Sequence, residues 1–456
     1  MKMRMRKRKT GILILCFTLA LSAAIFFPSA NKAVKAEGTA ALYNTAGRAY
    51  ASMQEFFKDG QNRDRLTGTE GAKKTAEWIA ARFNDLSLED PVIKSKPDDP
   101  KYIKNFELTY GGSFFQQETS KPAFNVAGRI KADGLKKTVI IGANYDNTYG
   151  LQYMQGYHNK SEGALDNASG VAAMLAIAEA AVENKKAGIE IDYNLMFVAF
   201  GANNDGFYGS AKFVAEIDKY GLSLSDIALM INLSCVAGGD KLYMYCDEVE
   251  TLHEKHFKAV ADGQTNNAFA LNLPPKNKKI VPDAYSSVLY THKGLEGDHY
   301  VFWNNDINTV NLFGYNWDIN AAGNTESAAG SIAGTDGDTW ENLFTYYENG
   351  KAMMDSAVNI VTGVLYDGGT SETLSLSHAE KYDYRAFLAN PLYSFLYQMV
   401  ALIGLCVLLI VLYSRGIKYT PKVIIQKYST KVSVFGDEYE EGGGSQPPPP
   451  DENPFN

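Results

Sequence analysis

Residues Ser161 to Ala178 read SEGALDNASGVAAMLAIA, and the way that run changes character decides the fold. Its second half places Val171, Met174, Leu175 and Ala178 at helical spacing, which predicts a buried helix over 168–184. Its first half carries Asp166, Asn167 and Ser169, three residue types whose side chains cap a helix start. A carboxylate at such a junction has two readings: a cap, or a ligand or catalytic group held at the mouth of the helix. The second reading needs partners from elsewhere in the chain, so the segments around it are placed first.

Three short, continuous apolar runs have the character of buried strands: Thr138 to Ala143 (TVIIGA), Leu195 to Ala202 (LMFVAFGA) and Ile227 to Leu233 (IALMINL). Phe124 to Ile130 and Thr309 to Phe313 are further strand candidates. Helical spacing recurs between Thr67 and Leu86, where Ala72, Ala76, Ile79, Ala80 and Phe83 share a face, and over 208–219. Asp338 to Leu365 reads as one long final helix. Buried strands alternating with helices predict an α/β domain. In such sheets the site lies beyond the carboxyl ends of the strands. Those ends carry Asn144-Tyr145-Asp146, Asn203-Asn204-Asp205-Gly206 and Ser234, which converge with Asp166 on one crevice.

The chain has 456 residues, a globular composition and a net charge of −8, which gives no basis for a nucleic-acid partner. Residues 1–36 read as a secretory signal: a basic KMRMRKRK, an apolar Gly11 to Phe27, and small residues up to Ala36. An uncleaved anchor is the alternative, and both place the next domain, 40–370, outside the cytoplasm. After a juxtamembrane segment (371–391), residues 392–413 form an uncharged apolar run of about 33 Å as a helix, enough to cross a bilayer. Arg415, Lys418, Lys422, Lys427 and Lys431 follow it and place the 414–456 tail in the cytoplasm. That tail, with Pro447 to Pro450 and a terminal NPFN, is a solvated end or a docking peptide for a cytoplasmic partner. Two cysteines lie in apolar segments. Cys235 and Cys246 flank a turn-like Gly238-Gly239-Asp240, and are expected either to bridge a hairpin or to remain as buried thiols.

The phrases IIGANYD, GALDNASGVAAMLAIA, FVAFGANNDGFYGSAKFV, MINLS, GDHYVFWNNDINTVNL and TDGDTWENL occur in this order between about Gly68 and Leu343. Together they resemble the M28 zinc aminopeptidases and their non-enzymatic relatives. The resemblance implies a three-layer sandwich around a mostly parallel mixed sheet. With one C-terminal span and a short tail, the layout is similar to that of the nicastrin and nicalin families. The resemblance also implies a ligand set. Two zinc ions share one bridging Asp, matched by Asp166. One zinc takes a His where Asn144 stands and an Asp where Ser234 stands. The other takes a Glu where Asn204 stands and a late His where Gly334 falls. The general base is a Glu, and Asn203 occupies its place. Asp146 matches the carboxylate that would orient the missing His.

Zinc is held by imidazole, thiolate and carboxylate, and a side-chain amide does not accept a proton near neutral pH. Asp166 is then the one competent ligand among Asn144, Asp166, Asn204, Ser234 and Gly334, and the expectation is no catalytic residue and no cofactor. Zinc in a rearranged site, or a weakly bound hard divalent cation on oxygen donors including Asp205, is the alternative. His158 and Glu162 are the nearest possible substitutes, and Asp298-His299 reads as structural. Three functions are compatible: a membrane-anchored non-catalytic domain binding a peptide or protein, a metallo-aminopeptidase with rearranged ligands, and a peptide- or solute-binding module of a membrane complex. The sequons at Asn159, Asn167 and Asn232 matter only if the asparagines are accessible, and the last two read as too near the core.

Overall fold

The computed structural model describes residues 42–110, 119–133, 137–154, 157–246, 252–273, 290–291, 294–295, 297–316 and 332–380. The expected signal, the 392–413 span and the tail lie outside these residues, as do Cys16 and Cys406. The elements run in order as α1 (Arg48–Phe56), α2 (Glu70–Asp85), β1 (Ile103–Tyr110), β2 (Thr119–Ile130), β3 (Thr138–Asn144), the small hairpin β4 (Gln152–Met154) and β5 (Tyr157–His158), and α3 (Ser169–Lys186). They continue as β6 (Asn194–Phe200), α4 (Tyr208–Ala215), β7 (Ile227–Leu233), β8 (Lys241–Tyr245), α5 (Leu252–Gly263), β9 (Leu271–Asn272) and a two-stranded ribbon, β10 (Tyr290–Thr291) and β11 (Gly294–Leu295). Last come α6 (Asp298–Trp303), β12 (Thr309–Tyr315), α7 (Trp340–Tyr346), α8 (Gly350–Tyr366) and α9 (Gly369–Glu380).

Eight strands form one sheet in the order β1-β2-β6-β3-β7-β12-β8-β9. The centre is parallel: β3 pairs in parallel with both β6 and β7, and β7 with β12. β1, β2 and β8 join antiparallel. The pleat sends alternate residues to opposite faces, and both faces are covered. Val139, Ile141 and Ala143 of β3 pack into a core with Met53 of α1, Ile79 of α2, Val171 and Met174 of α3 and Met354 of α8. Ile140, between them, faces a second core with Val198, Phe200, Phe213 of α4 and Phe302 of α6. This is the expected three-layer α/β sandwich.

α3 is buried on almost every side, including Ala172, Ala173, Ala176 and Ala180. The sheet lies beneath it and α1 and α8 flank it, so the small residues let backbones approach. Ala164–Lys186 is long and apolar enough to cross a bilayer, but here it is the core helix of the domain.

Two expectations about the later elements are corrected. The long helix predicted from Asp338 to Leu365 is two helices, α7 and α8, broken at residues 347–349. At the break Gly350 passes close to β7's exit loop, where a Cβ would meet the Ala237 carbonyl oxygen at 2.5 Å. The domain boundary placed at residue 370 falls inside α9, whose Leu374 is buried in the first core, and the compact unit runs to Glu380.

Candidate functional site

β6, β3 and β7 are neighbours and parallel, so their carboxyl ends lie side by side. Asn144 ends β3 and leads into Tyr145-Asp146-Asn147. Phe200 ends β6 and leads into Asn203-Asn204, and Leu233 ends β7 and leads into Ser234-Cys235. The loops turn sharply: Ala202 and Cys235 both adopt left-handed backbone, with φ of 54° and 58°. Asp166 arrives from the segment before α3, and its peptide bond to Asn167 is cis. Asp166, Asn203, Ser234, Cys235 and Gly334 are partly exposed and Asn204 is exposed, whereas Asn144, Asp146, Asn167 and Asp338 behind them are buried. The structure therefore brings the expected residues to one solvent-reaching edge.

Of the three cap-type residues before α3, Asn167 does the capping. Its Oδ1 accepts from the Gly170 N–H (3.1 Å) and the Cys235 N–H (2.9 Å). Its Nδ2 donates to Asn144 Oδ1 (2.9 Å) and to the Leu233 carbonyl (2.8 Å). One buried amide thus ties α3 to the ends of β3 and β7. Asn144, at the expected first ligand position, spends its amide oxygen on this tie. Asp166 is left free of capping. Burial pushes its pKa up, against the opposing effects of the neighbouring Cys235 thiol and the Arg65 charge.

Asp146 orients no imidazole. Its Oδ1 accepts from the Asn203 N–H (3.1 Å), and its Oδ2 from the Asn204 N–H (2.9 Å) and Nδ2 (3.0 Å). It is the clasp of the loop after β6. Desolvation raises its pKa to about 6, against those three donors. Asn203, at the general-base position, donates Nδ2 to Asp298 Oδ2 at 3.0 Å. Asp298 is buried, which raises its pKa to about 7, opposed by its bonds to Ser210 and Asn203. Its neighbour His299 is held neutral by burial, with a pKa of about 3. Asp298 therefore has a position in the crevice wall that its reading as merely structural did not specify.

Two groups were missed. Asp338 accepts from the backbone N–H groups of Leu165 (2.6 Å), Asp166 (3.3 Å) and Gly334 (3.4 Å), so it sets the path of the Asp166 segment. Burial raises its pKa to about 7, and the Asp166 charge adds to the rise. It stands in the TDGDTW phrase, where a carboxylate just before a helix was the available signal. Arg65 lies wholly buried beside the same segments, and nothing local in Asn62-Arg63-Asp64-Arg65 marks it.

The substitutes considered do not assemble. His158 is exposed on the small hairpin, with its ring nitrogen 3.2 Å from the Gly150 carbonyl. Glu162 is paired with Arg63 at 2.5 Å and accepts from the Trp340 N–H. The hairpin's base is anchored at Gly334, whose carbonyl accepts from Asn159 Nδ2 at 2.9 Å. All three sequon asparagines, Asn159, Asn167 and Asn232, are buried.

Of the two arrangements open to Cys235 and Cys246, the structure has the unbridged one. β7 and β8 are not neighbours, because β12 lies between them. Cys235 meets Gly314 near one end of β12, while Cys246 follows Tyr245, which pairs with Asn311 at the other. Two strand spacings alone separate them by about 9–10 Å, beyond the roughly 7 Å limit between bridged Cα atoms.

The donor set does not fit a pair of zinc ions. The amide nitrogens of Asn203 and Asn204 are turned inward as donors, Asp146 is saturated by N–H groups, and Asn144's oxygen is engaged. Among the described residues no three His, Cys, Asp or Glu side chains are grouped as a metal requires.

The family model described as Peptidase family M28 matches residues 125–345. Solved structures with a similar fold include a zinc aminopeptidase from Bacillus subtilis, at 16% identity over 70% of this chain and 96% of that one, with a TM-score of 0.48. A Zn-dependent exopeptidase from Parabacteroides distasonis matches at 17% identity over 72% and 99%, with a TM-score of 0.49. A glutaminyl cyclase from Porphyromonas gingivalis matches at 15% over 71% and 98%, also at 0.49. No curated protein matches the sequence. The chain thus carries a domain of peptidase family M28 over residues 125–345.

Proposed function

We propose that this chain is a membrane-anchored M28-type protein that binds a peptide or protein outside the cytoplasm instead of hydrolysing it. The observation that carries the reading is the use made of the two asparagines after β6. Asn203, at the general-base position, is a neutral amide tied to a buried acid, and Asn204 is tied to Asp146. An amide accepts no proton near neutral pH, and an amide donor is no ligand for a cation. With both nitrogens committed inward, the amide oxygens of Asn203 and Asn204, together with Asp166, offer hydrogen-bond acceptors to a ligand. A peptide, with its N–H groups, suits such a lining.

The anchoring part of the proposal rests on the basic-then-apolar start, the 392–413 run and the cationic residues after it. The proline-rich tail is then available to a cytoplasmic partner.

A second reading is favoured by one pair of side chains. Cys235 and Asp166 act on each other's protonation at the crevice, and thiolate with carboxylate is a pair of zinc-competent donors, although burial and the neighbouring carboxylates push the Cys235 thiol well up. A rearranged metallo-aminopeptidase would start from them. Metal content of the purified full-length chain, measured beside hydrolysis of aminoacyl chromogenic substrates with added zinc, cobalt or manganese, separates the two. The expected outcome is metal well below one equivalent and no hydrolysis that depends on Asp166. Tightly held zinc, with cleavage lost in Asp166→Ala and Cys235→Ser, overturns the proposal in favour of the second reading.

A further inference from the structure

Behind the crevice wall a row of polar residues crosses three strands. Asn311 of β12 pairs with Asn232 of β7 on one side and with Tyr245 of β8 on the other. Their chain neighbours Ile231, Leu233, Val310, Leu312 and Met244 pack into the first core, so the pleat turns this row to the opposite face. α6 covers that face, and the His299 ring stands edge-on to that of Tyr245 with centres 6.3 Å apart. Asp298 and His299 are consecutive and serve two places: the first reaches Asn203 in the crevice wall, the second this row.

The row does not satisfy itself. Asn232 Nδ2 donates to Asn311 Oδ1 at 2.9 Å, which uses half of each amide. Asn232 Oδ1, Asn311 Nδ2 and His299 Nδ1 are buried and have no hydrogen-bond partner among the described residues. Asn232 is 3% exposed, and Asn311 and His299 are 1% exposed. Buried polar atoms in folded proteins are nearly all satisfied, by the chain or by an internal molecule. Gly297 marks where two of these side chains meet. A Cβ added there would lie 3.2 Å from His299 Nδ1 and 3.4 Å from Asn232 Nδ2.

The orphaned atoms define what fits. Asn232 Oδ1 needs a donor and Asn311 Nδ2 an acceptor. Both amides are uncharged, and burial holds His299 neutral, so an ion placed among them would go unpaired. We propose that Asn232, Asn311 and His299 form an internal binding site for a small neutral group that donates and accepts hydrogen bonds at once. Water has that chemistry, and so does the carboxamide of a molecule entering from the crevice. The inference does not depend on whether the crevice binds a peptide or cleaves one.

The test is thermal unfolding of the full-length chain in detergent, with Gly297→Ala and Gly297→Ser, each with and without acetamide. Gly297 has φ of −167°, extended backbone that any residue adopts, so the two variants place the same Cβ and differ only in the hydroxyl. Alanine displaces the bound group and replaces none of its hydrogen bonds, and should melt about 2–6 °C below wild type. Serine brings a hydroxyl to the site and should recover most of that loss. In a background of Asn232→Leu with Asn311→Leu, which removes the orphaned amide atoms together, the gap between alanine and serine should close. With the gap present, a wild-type midpoint raised by acetamide, and unmoved in Gly297→Ser, assigns the site to an entering carboxamide; no rise assigns it to internal water. Equal melting of the alanine and serine variants overturns the inference, as does a gap that survives in the double-leucine background. Should that background not fold, the gap in the otherwise wild-type chain decides.

Discussion

Asn167 makes four hydrogen bonds with one side chain, and three of them leave its own helix: to Asn144, to Leu233 and to Cys235. Asn167→Ala removes a cap and strands buried partners on two strand ends. The expected loss is about 2–4 kcal/mol in urea unfolding, more than a surface cap alone would cost. A loss under about 1 kcal/mol would show the strand ends to be held by something else. The buried acids give a second expectation. Asp338 and Asp298 have folded pKa values of about 7 against an ordinary 3.8, because burial disfavours their charge. The folded state therefore binds more protons than the unfolded state between about pH 4 and 7. Stability from these groups is fully present below their unfolded values and is lost as pH rises through about 7. The urea midpoint should rise as pH falls from 8 to 6, and Asp338→Asn should flatten that slope. A midpoint that rises toward pH 8 in the wild type contradicts the burial account.

At the scale of elements, what was legible followed from where each segment is buried. β3, β6, β7 and β12 are covered on both faces, so they appear as continuous apolar runs and are read directly. β1 was not read, because IKNFELTY pairs on one side only and alternates Phe106 and Leu108 with exposed polar residues. The break between α7 and α8 was invisible because Gly350 answers to Ala237, far away in sequence. The same holds for the site. The strand-end residues were legible because each follows an apolar run, but Arg65 reaches carbonyls 80, 97 and 98 residues away, and no local pattern announces it. α3 offers the test at this scale. Met174 is fully buried on a helix packed on the sheet and on both α1 and α8. Met174→Ala should therefore cost about 2–4 kcal/mol with little relief by collapse. A cost below about 1 kcal/mol would mean that α3 is not the centre of the first core.

For the whole molecule, the proposed topology and the thiol chemistry constrain each other. A domain on the oxidising side of a membrane is where disulfides form, yet Cys235 and Cys246 sit on opposite ends of a strand that separates them. Export need leave no bridge in this domain, because the sheet order keeps its two thiols apart. The orientation itself rests on charge: Arg415, Lys418, Lys422, Lys427 and Lys431 follow the apolar run without an acidic residue among them, which favours retention of that flank in the cytoplasm. An alkaline phosphatase fused after residue 380, which folds only outside the cytoplasm, should then be active, and a fluorescent protein fused after residue 456 should mature inside. In the same preparation the full-length chain should run identically on gels with and without reductant. Replacing Arg415, Lys418 and Lys422 by Glu should raise the activity of a phosphatase fused after residue 456, by weakening the inward bias of the flank. An inactive phosphatase fusion beside an active one placed after residue 456 would reverse the orientation, and the crevice would then face cytoplasmic ligands.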